Sequence, residues 1–105
     1  MKCLDDHHKY ELDAFEGEGK HHLTFIRKMI DLTPGVKPGT LVTIHDGTTN
    51  EEVLRMLIHR LTAMGNLFPC RQNSLAVTKL EEALMWLEHR TAERKARGVE
   101  GKALA

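Results

Sequence analysis

The sequence predicts an α+β protein: a small N-terminal antiparallel β meander followed by a long antiparallel helical hairpin. Three observations carry this reading. Apolar and polar residues alternate in the first 45 residues, the period lengthens to about 3.6 from Asp46-Gly47 onward, and turn residues cluster where one pattern gives way to the next. The 105 residues have the length of one ordinary domain and show no shift in composition. Residues 1–105 are therefore read as a single domain, with a β region over 1–45, the helical hairpin over 46–98 and a C-terminal tail over 99–105.

In the β region, Tyr10, Leu12 and Ala14 alternate with polar neighbours across 9–16, the period of a half-buried strand. Glu16-Gly17-Glu18-Gly19 supplies the turn, and His22 to Lys28, rich in Leu, Phe, Ile and Thr, supplies a second strand. The two Pro-Gly pairs of 33–39 end that strand, and Thr40 to His45, rich in β-branched residues, completes the meander.

The helical part opens with Thr49-Asn50-Glu51-Glu52, the capping-box pattern, in which hydroxyl and carboxylate each satisfy an orphaned backbone N–H. Val53, Leu54, Leu57, Ile58, Leu61 and Met64 form one apolar stripe, and Gly65-Asn66 is expected to close the helix. After Phe68-Pro69-Cys70, Asn73 or Ser74 is the expected cap of a second helix with apolar Ala76, Val77, Leu80, Leu84 and Leu87. Arg94, Lys95 and Arg97 suit the negative end of its dipole, and Gly98 its stop. At about 1.5 Å per residue the helices are roughly 24 and 36 Å long, so the second is expected to overhang the first and to carry the arginines there.

Composition narrows the function. Fifteen basic and fifteen acidic residues cancel, which leaves none of the cationic excess that bulk DNA or RNA binding draws on. The longest apolar run, Ala83 to Leu87, is too short for a bilayer, and the N-terminus lacks a signal-peptide core, so a cytoplasmic protein without membrane contact is expected. Cys3 and Cys70 read as free thiols. Seven histidines invite a metal site, but pairing Phe15 with Lys20 sets His21 opposite Ala14 and His8 opposite Arg27, roughly 20 Å apart at about 3.3 Å per residue. Zinc needs ligands converging within about 2.3 Å, so no metal is expected. Nor is there a nucleophile elbow, a Walker loop or a dinucleotide fingerprint, and nothing in the chain requires an enzyme.

One constellation has chemical promise. Arg90, Arg94 and Arg97 share a helical face, and a guanidinium fork suits phosphate better than the point charge of a lysine. Spacing alone favours the plainer reading of a solvated helix end, with Glu93 pairing to Arg97. Trp86 lies one turn before Arg90, where indole and guanidinium could face a base and its phosphate, but its apolar surroundings favour a buried or interface position.

From Asp46-Gly47-Thr48-Thr49-Asn50-Glu51-Glu52-Val53-Leu54, through Phe68-Pro69-Cys70-Arg71-Gln72-Asn73-Ser74 and Thr78-Lys79-Leu80-Glu81-Glu82-Ala83-Leu84-Met85-Trp86-Leu87, to Arg90-Thr91-Ala92-Glu93-Arg94-Lys95-Ala96-Arg97-Gly98-Val99-Glu100-Gly101, the chain resembles the hairpin domain of phage anti-CBASS and anti-Thoeris sponge proteins. The resemblance covers about residues 46 to 101. It implies a non-enzymatic homo-oligomer, often a hexamer, without a cofactor, that sequesters cyclic dinucleotides, cyclic trinucleotides or cyclic ADP-ribose isomers in pockets lined by more than one subunit. It also implies ligand-binding roles for Asn73 and Arg90, and for Lys79 and Arg94; with Arg97 these make the candidate site. The strands ahead of the hairpin look more like the anti-Thoeris branch.

The expected function is thus a sponge that blocks bacterial anti-phage defence in the host cytoplasm. The alternative is a structural or protein-interaction hairpin without a small-molecule ligand, and a small hydrolase of the same signal is the third candidate.

Overall fold

A computed structural model describes residues 1–98; the tail at 99–105 lies outside them. The chain is α+β, with antiparallel strands followed by two long helices. It divides into two compact units, the first over Met1–Thr49 and the second beginning at Asn50.

In the first unit, β1 (Lys2–Cys3), β2 (Lys9–Asp13) and β3 (Lys20–Thr24) form an antiparallel sheet in that order. The expected 22–28 strand does not run through. It breaks at Phe25–Ile26, after which β4 (Arg27–Ile30) pairs with β5 (Leu41–His45) in a separate two-stranded sheet. Competing hydrogen bonds cause the break. Phe25 N–H still donates to His8 in line with the first sheet (2.7 Å), but Ile26 N–H donates to the Thr48 carbonyl and Thr48 N–H to the Thr24 carbonyl, both at 2.9 Å. This exchange needs a glycine beside it. A Cβ on Gly47 would lie 2.6 Å from the carbonyl carbon of Phe25, 2.7 Å from Thr24 O and 2.8 Å from Ile26 N.

The β2–β3 register also differs from expectation. Asp13 rather than Phe15 stands opposite Lys20, which sets His21 opposite Leu12 and His22 opposite Glu11. His8 accordingly faces Phe25 and not Arg27. The loop is two residues longer, with Gly17 at φ 79° and Phe15 fully exposed. Polar contacts at its base favour this register: Asp13 takes the Lys20 ammonium on one oxygen and the N-terminal ammonium, at 3.0 Å, on the other.

Hydrogen bonding from Lys20, followed by the N-terminal ammonium, holds the Asp13 carboxyl down at about 2 against an ordinary 3.8. A depressed carboxyl contributes stability that is complete above its unfolded-state value and is lost as pH falls through the folded one. The Asp13 carboxyl carbon, followed by NMR, should therefore titrate near pH 2. Lys20→Ala should bring that midpoint back toward the ordinary value; an unchanged midpoint would show that the pair does not form.

The second unit is the hairpin of α1 (Asn50–Leu67) and α2 (Arg71–Ala96). Thr49 directly precedes α1, and Glu51 and Glu52 occupy its first turn, where negative charge meets the positive end of the helix dipole. Gly65-Asn66 does not end the helix: Gly65 is absent from the left-handed residues, and Phe68 N–H still donates to the Met64 carbonyl. Nor do Asn73 or Ser74 cap α2. The cap is Cys70, extended at φ −150° and ψ 130°, which makes no side-chain capping bond. Continuing α1 to Leu67 leaves only three connecting residues, and Pro69 among them cannot sit inside a helix, so α2 begins directly after Cys70. The far end matches expectation, with Arg97 as cap and Gly98 left-handed at φ 71°.

Leu57, Ile58 and Leu61 of α1 and Val77, Leu80, Leu84 and Leu87 of α2 are half-buried in the seam between the helices. No described residue of the protomer is fully buried. Trp86, expected to be buried or at an interface, is 59% exposed in the protomer, and Met85 beside it is 52% exposed.

Candidate functional site

α2 sorts its residues by face. Lys79, Trp86, Arg90 and Arg97 follow one another at steps of seven, four and seven, which at about 3.6 residues per turn stack into one stripe. All four are exposed, and the half-buried leucines turned toward α1 lie on the other side. Lys79 pairs with Glu82 (3.8 Å) and Arg97 with Glu93 (3.4 Å), while Arg90 stands between these pairs. Exposed pairs of this kind contribute little in water, so a phosphate can exchange with the carboxylates at small cost. Arg94 is half-buried.

Arg90 is open to solvent for a different reason from the one expected. Arg55 meets Glu88 across the hairpin at 3.0 Å, and α1 begins five residues before Arg55 whereas Arg90 lies two beyond Glu88. The helices run antiparallel, so α1 extends alongside Arg90, and no overhang frees it. Orientation does, because Arg90 points away from α1.

Asn73 sits apart from this stripe. It is half-buried at the closed end of the hairpin, where Thr62, Gly65, Asn66 and Ser74 join it around a small cavity of about 240 Å³. Carboxamides and hydroxyls there offer neutral donors and acceptors. The 17 residues from Asn73 to Arg90 correspond to roughly 26 Å along α2. One protomer therefore does not bring the two together.

Asn66 was not legible as part of this group, because its Gly-Asn context reads as a helix stop. Arg55 was missed as well. Its guanidinium is bonded to Glu88 and, at 3.2 Å, to Glu52, and the Glu88 bond above all raises its pKa. Glu52 and Arg55 are three apart and visible in the sequence, but the Glu88 partner lies 33 residues away. Arg55 and Glu88 border a larger cleft of about 610 Å³ that runs between the helices past Ile58, His59, Leu84 and Met85. Two carboxylates already occupy Arg55, which suits it to holding the helices together more than to binding an anion.

Among the described residues no three His, Cys, Asp or Glu side chains are grouped to hold a metal ion. Cys3 and Cys70 are exposed free thiols, and no described helix is long and apolar enough to cross a membrane.

Residues 29–92 match the family model described as the Acb2/Tad1 hairpin domain. The match reaches further back than the resemblance read from sequence: it takes in the end of β4 and all of β5 as well as α1 and most of α2, and stops before Arg94 and Arg97. A relative, Thoeris anti-defense 1 of Bacillus phage SBSphiJ7, is 57% identical over 63 residues, which cover 57% of this chain and 44% of that protein. The chain thus spans less than half the length of the curated relative it matches.

Proposed function

The chain belongs to the Acb2/Tad1 hairpin-domain family, and from this we propose that it is a phage anti-defence protein, a sponge that sequesters a cyclic nucleotide immune signal without chemically changing it. Cyclic ADP-ribose isomers and cyclic di- and trinucleotides are the ligand classes. The observation that carries the reading is Arg90: an exposed guanidinium between two weak ion pairs, on the helix face turned away from α1, within the stretch that matches the family. A guanidinium so placed gives a phosphate a two-pronged, charge-assisted partner. The name of the relative supports an anti-defence role.

The same reading makes the protein a homo-oligomer acting in the host cytoplasm. With no fully buried residue among those described, the protomer leaves apolar side chains such as Met85 for contact with further copies. The separation of Asn73 from Arg90 then has a use. If a small ligand touches both, they come from different chains, and the pocket exists only in the assembly.

The test is to incubate the purified protein with cyclic ADP-ribose isomers and cyclic di- and trinucleotides, wash it, denature it by heat and identify what is released. Intact ligand is the expected result, in protein whose light-scattering mass exceeds the 11.9 kDa of a single chain. Cleaved ligand would make the protein a hydrolase. No retained ligand would overturn the proposal in favour of a structural or protein-interaction hairpin.

A further inference from the structure

We infer that Trp86 is the stacking platform for a nucleobase of the bound ligand, one helical turn from the arginine that holds its phosphate; the inference rests on the sponge reading and adds which side chain meets the base. Trp86 is 59% exposed, the largest side chain on the outward stripe of α2. Most of its neighbours on the helix surface are polar, with Lys79 and Glu82 before it and His89, Arg90 and Glu93 after it; Ala83 and Met85 are the exposed apolar ones. The centre of a protein–protein contact is typically depleted of charge and built from several apolar side chains. An exposed aromatic ring one turn from a cation is the arrangement found where bases stack on protein, with ring and cation sharing one nucleotide.

The geometry fits. Four residues of helix separate Trp86 from Arg90 by about 6 Å along the axis, on one stripe. One nucleotide bridges such a gap between its base and its phosphate. His89 meets the indole nearly perpendicularly, at 77° and 5.9 Å between ring centroids, which braces the ring from the side and leaves it mostly open. Stacking tolerates any base, so this contact would supply affinity for nucleotides as a class, and the choice among them would fall to hydrogen-bonding groups elsewhere in the pocket.

Trp86 is the only tryptophan of the chain, so its fluorescence reports on this position alone. The experiment titrates the full-length protein with cyclic ADP-ribose, cyclic di-adenylate and cyclic tri-adenylate, with inorganic pyrophosphate as a phosphate ligand that has no base. Heat-released ligand and light-scattering mass are measured on the same samples. A retained nucleotide should quench the emission in proportion to occupancy, and pyrophosphate should leave it unchanged. Trp86→Phe, which keeps an aromatic plane, should bind within a few-fold of the parent. Trp86→Leu, which keeps apolar bulk without a π-face, should bind about 5- to 150-fold more weakly at unchanged mass.

If a nucleotide is retained and released intact while the emission does not change and Trp86→Leu binds normally, the stacking role is wrong and the sponge reading stands. If Trp86→Leu falls to a smaller mass, the indole is an interface residue and the inference is overturned. If the parent retains no nucleotide at all, the sponge reading fails and the inference with it.

Discussion

Arg90→Ala is expected to weaken cyclic-nucleotide binding by about 30- to 1,000-fold, or about 2 to 4 kcal/mol, the range for losing one charged partner in a desolvated pocket. Asn73→Ala should fall in the lower part of that range, since a neutral carboxamide gives a weaker hydrogen bond than a guanidinium. Calorimetry against the ligand panel reads both effects, and oligomeric mass measured in parallel separates loss of contact from loss of assembly. The size of the effect decides between two roles for Arg90. An arginine that is merely solvated costs almost nothing to remove. If both variants remain assembled and bind undiminished, neither residue lines the pocket. Arg97→Ala should matter less than Arg90→Ala, because Arg97 already pairs with Glu93 at 3.4 Å and would have to give up that partner.

Gly47→Ala is expected to destabilise the Met1–Thr49 unit by about 2 to 4 kcal/mol, the cost of forcing a methyl group into a packed site whose neighbours cannot move aside. Each atom the added carbon would meet belongs to the backbone of Thr24, Phe25 or Ile26, at 2.6 to 2.8 Å. Backbone cannot change rotamer. Relief would require giving up the Thr48 hydrogen bonds that end β3 and set up β4. Gly35→Ala is the control: it also sits in the same unit, its φ of 90° disfavours a side chain, and an added carbon meets nothing within 4 Å. That variant should cost only about 1 kcal/mol, from backbone conformation alone. Denaturant unfolding with amide NMR of residues 24–26 distinguishes the two. Equal losses would show that the close approach at Gly47 has no energetic weight.

That strands precede a helical hairpin was legible from residue order alone, because periods of two and of 3.6 are local properties that need no knowledge of a partner. Residue order also placed the end of α2: Gly98 takes the left-handed conformation there, and the basic residues before it oppose the dipole. The residues quoted for the resemblance identified the family, and the resemblance, more than charge or spacing, singled out Arg90. Local signals failed wherever a competing local signal was stronger than the tertiary one was visible. Gly65-Asn66 reads as a stop, yet α1 continues to Leu67, and the Phe68 N–H still finds the Met64 carbonyl. Asn73 and Ser74 read as caps, yet α2 begins at Arg71 because Pro69 and the short connection fix its start.

Whatever depends on which distant backbone group a donor finds became visible only in the folded chain. One N–H on Ile26, given to Thr48, turned an expected strand into two and one meander into two sheets. A two-residue change in the pairing across the turn moved His8, His21 and His22 to new neighbours. The Arg55–Glu88 bond showed that α1 runs alongside Arg90, so Arg90 is open to solvent because α2 turns that side chain outward and not because it overhangs. A period tells which residues share a face; what that face meets depends on pairing across tens of residues, and no local pattern encodes it.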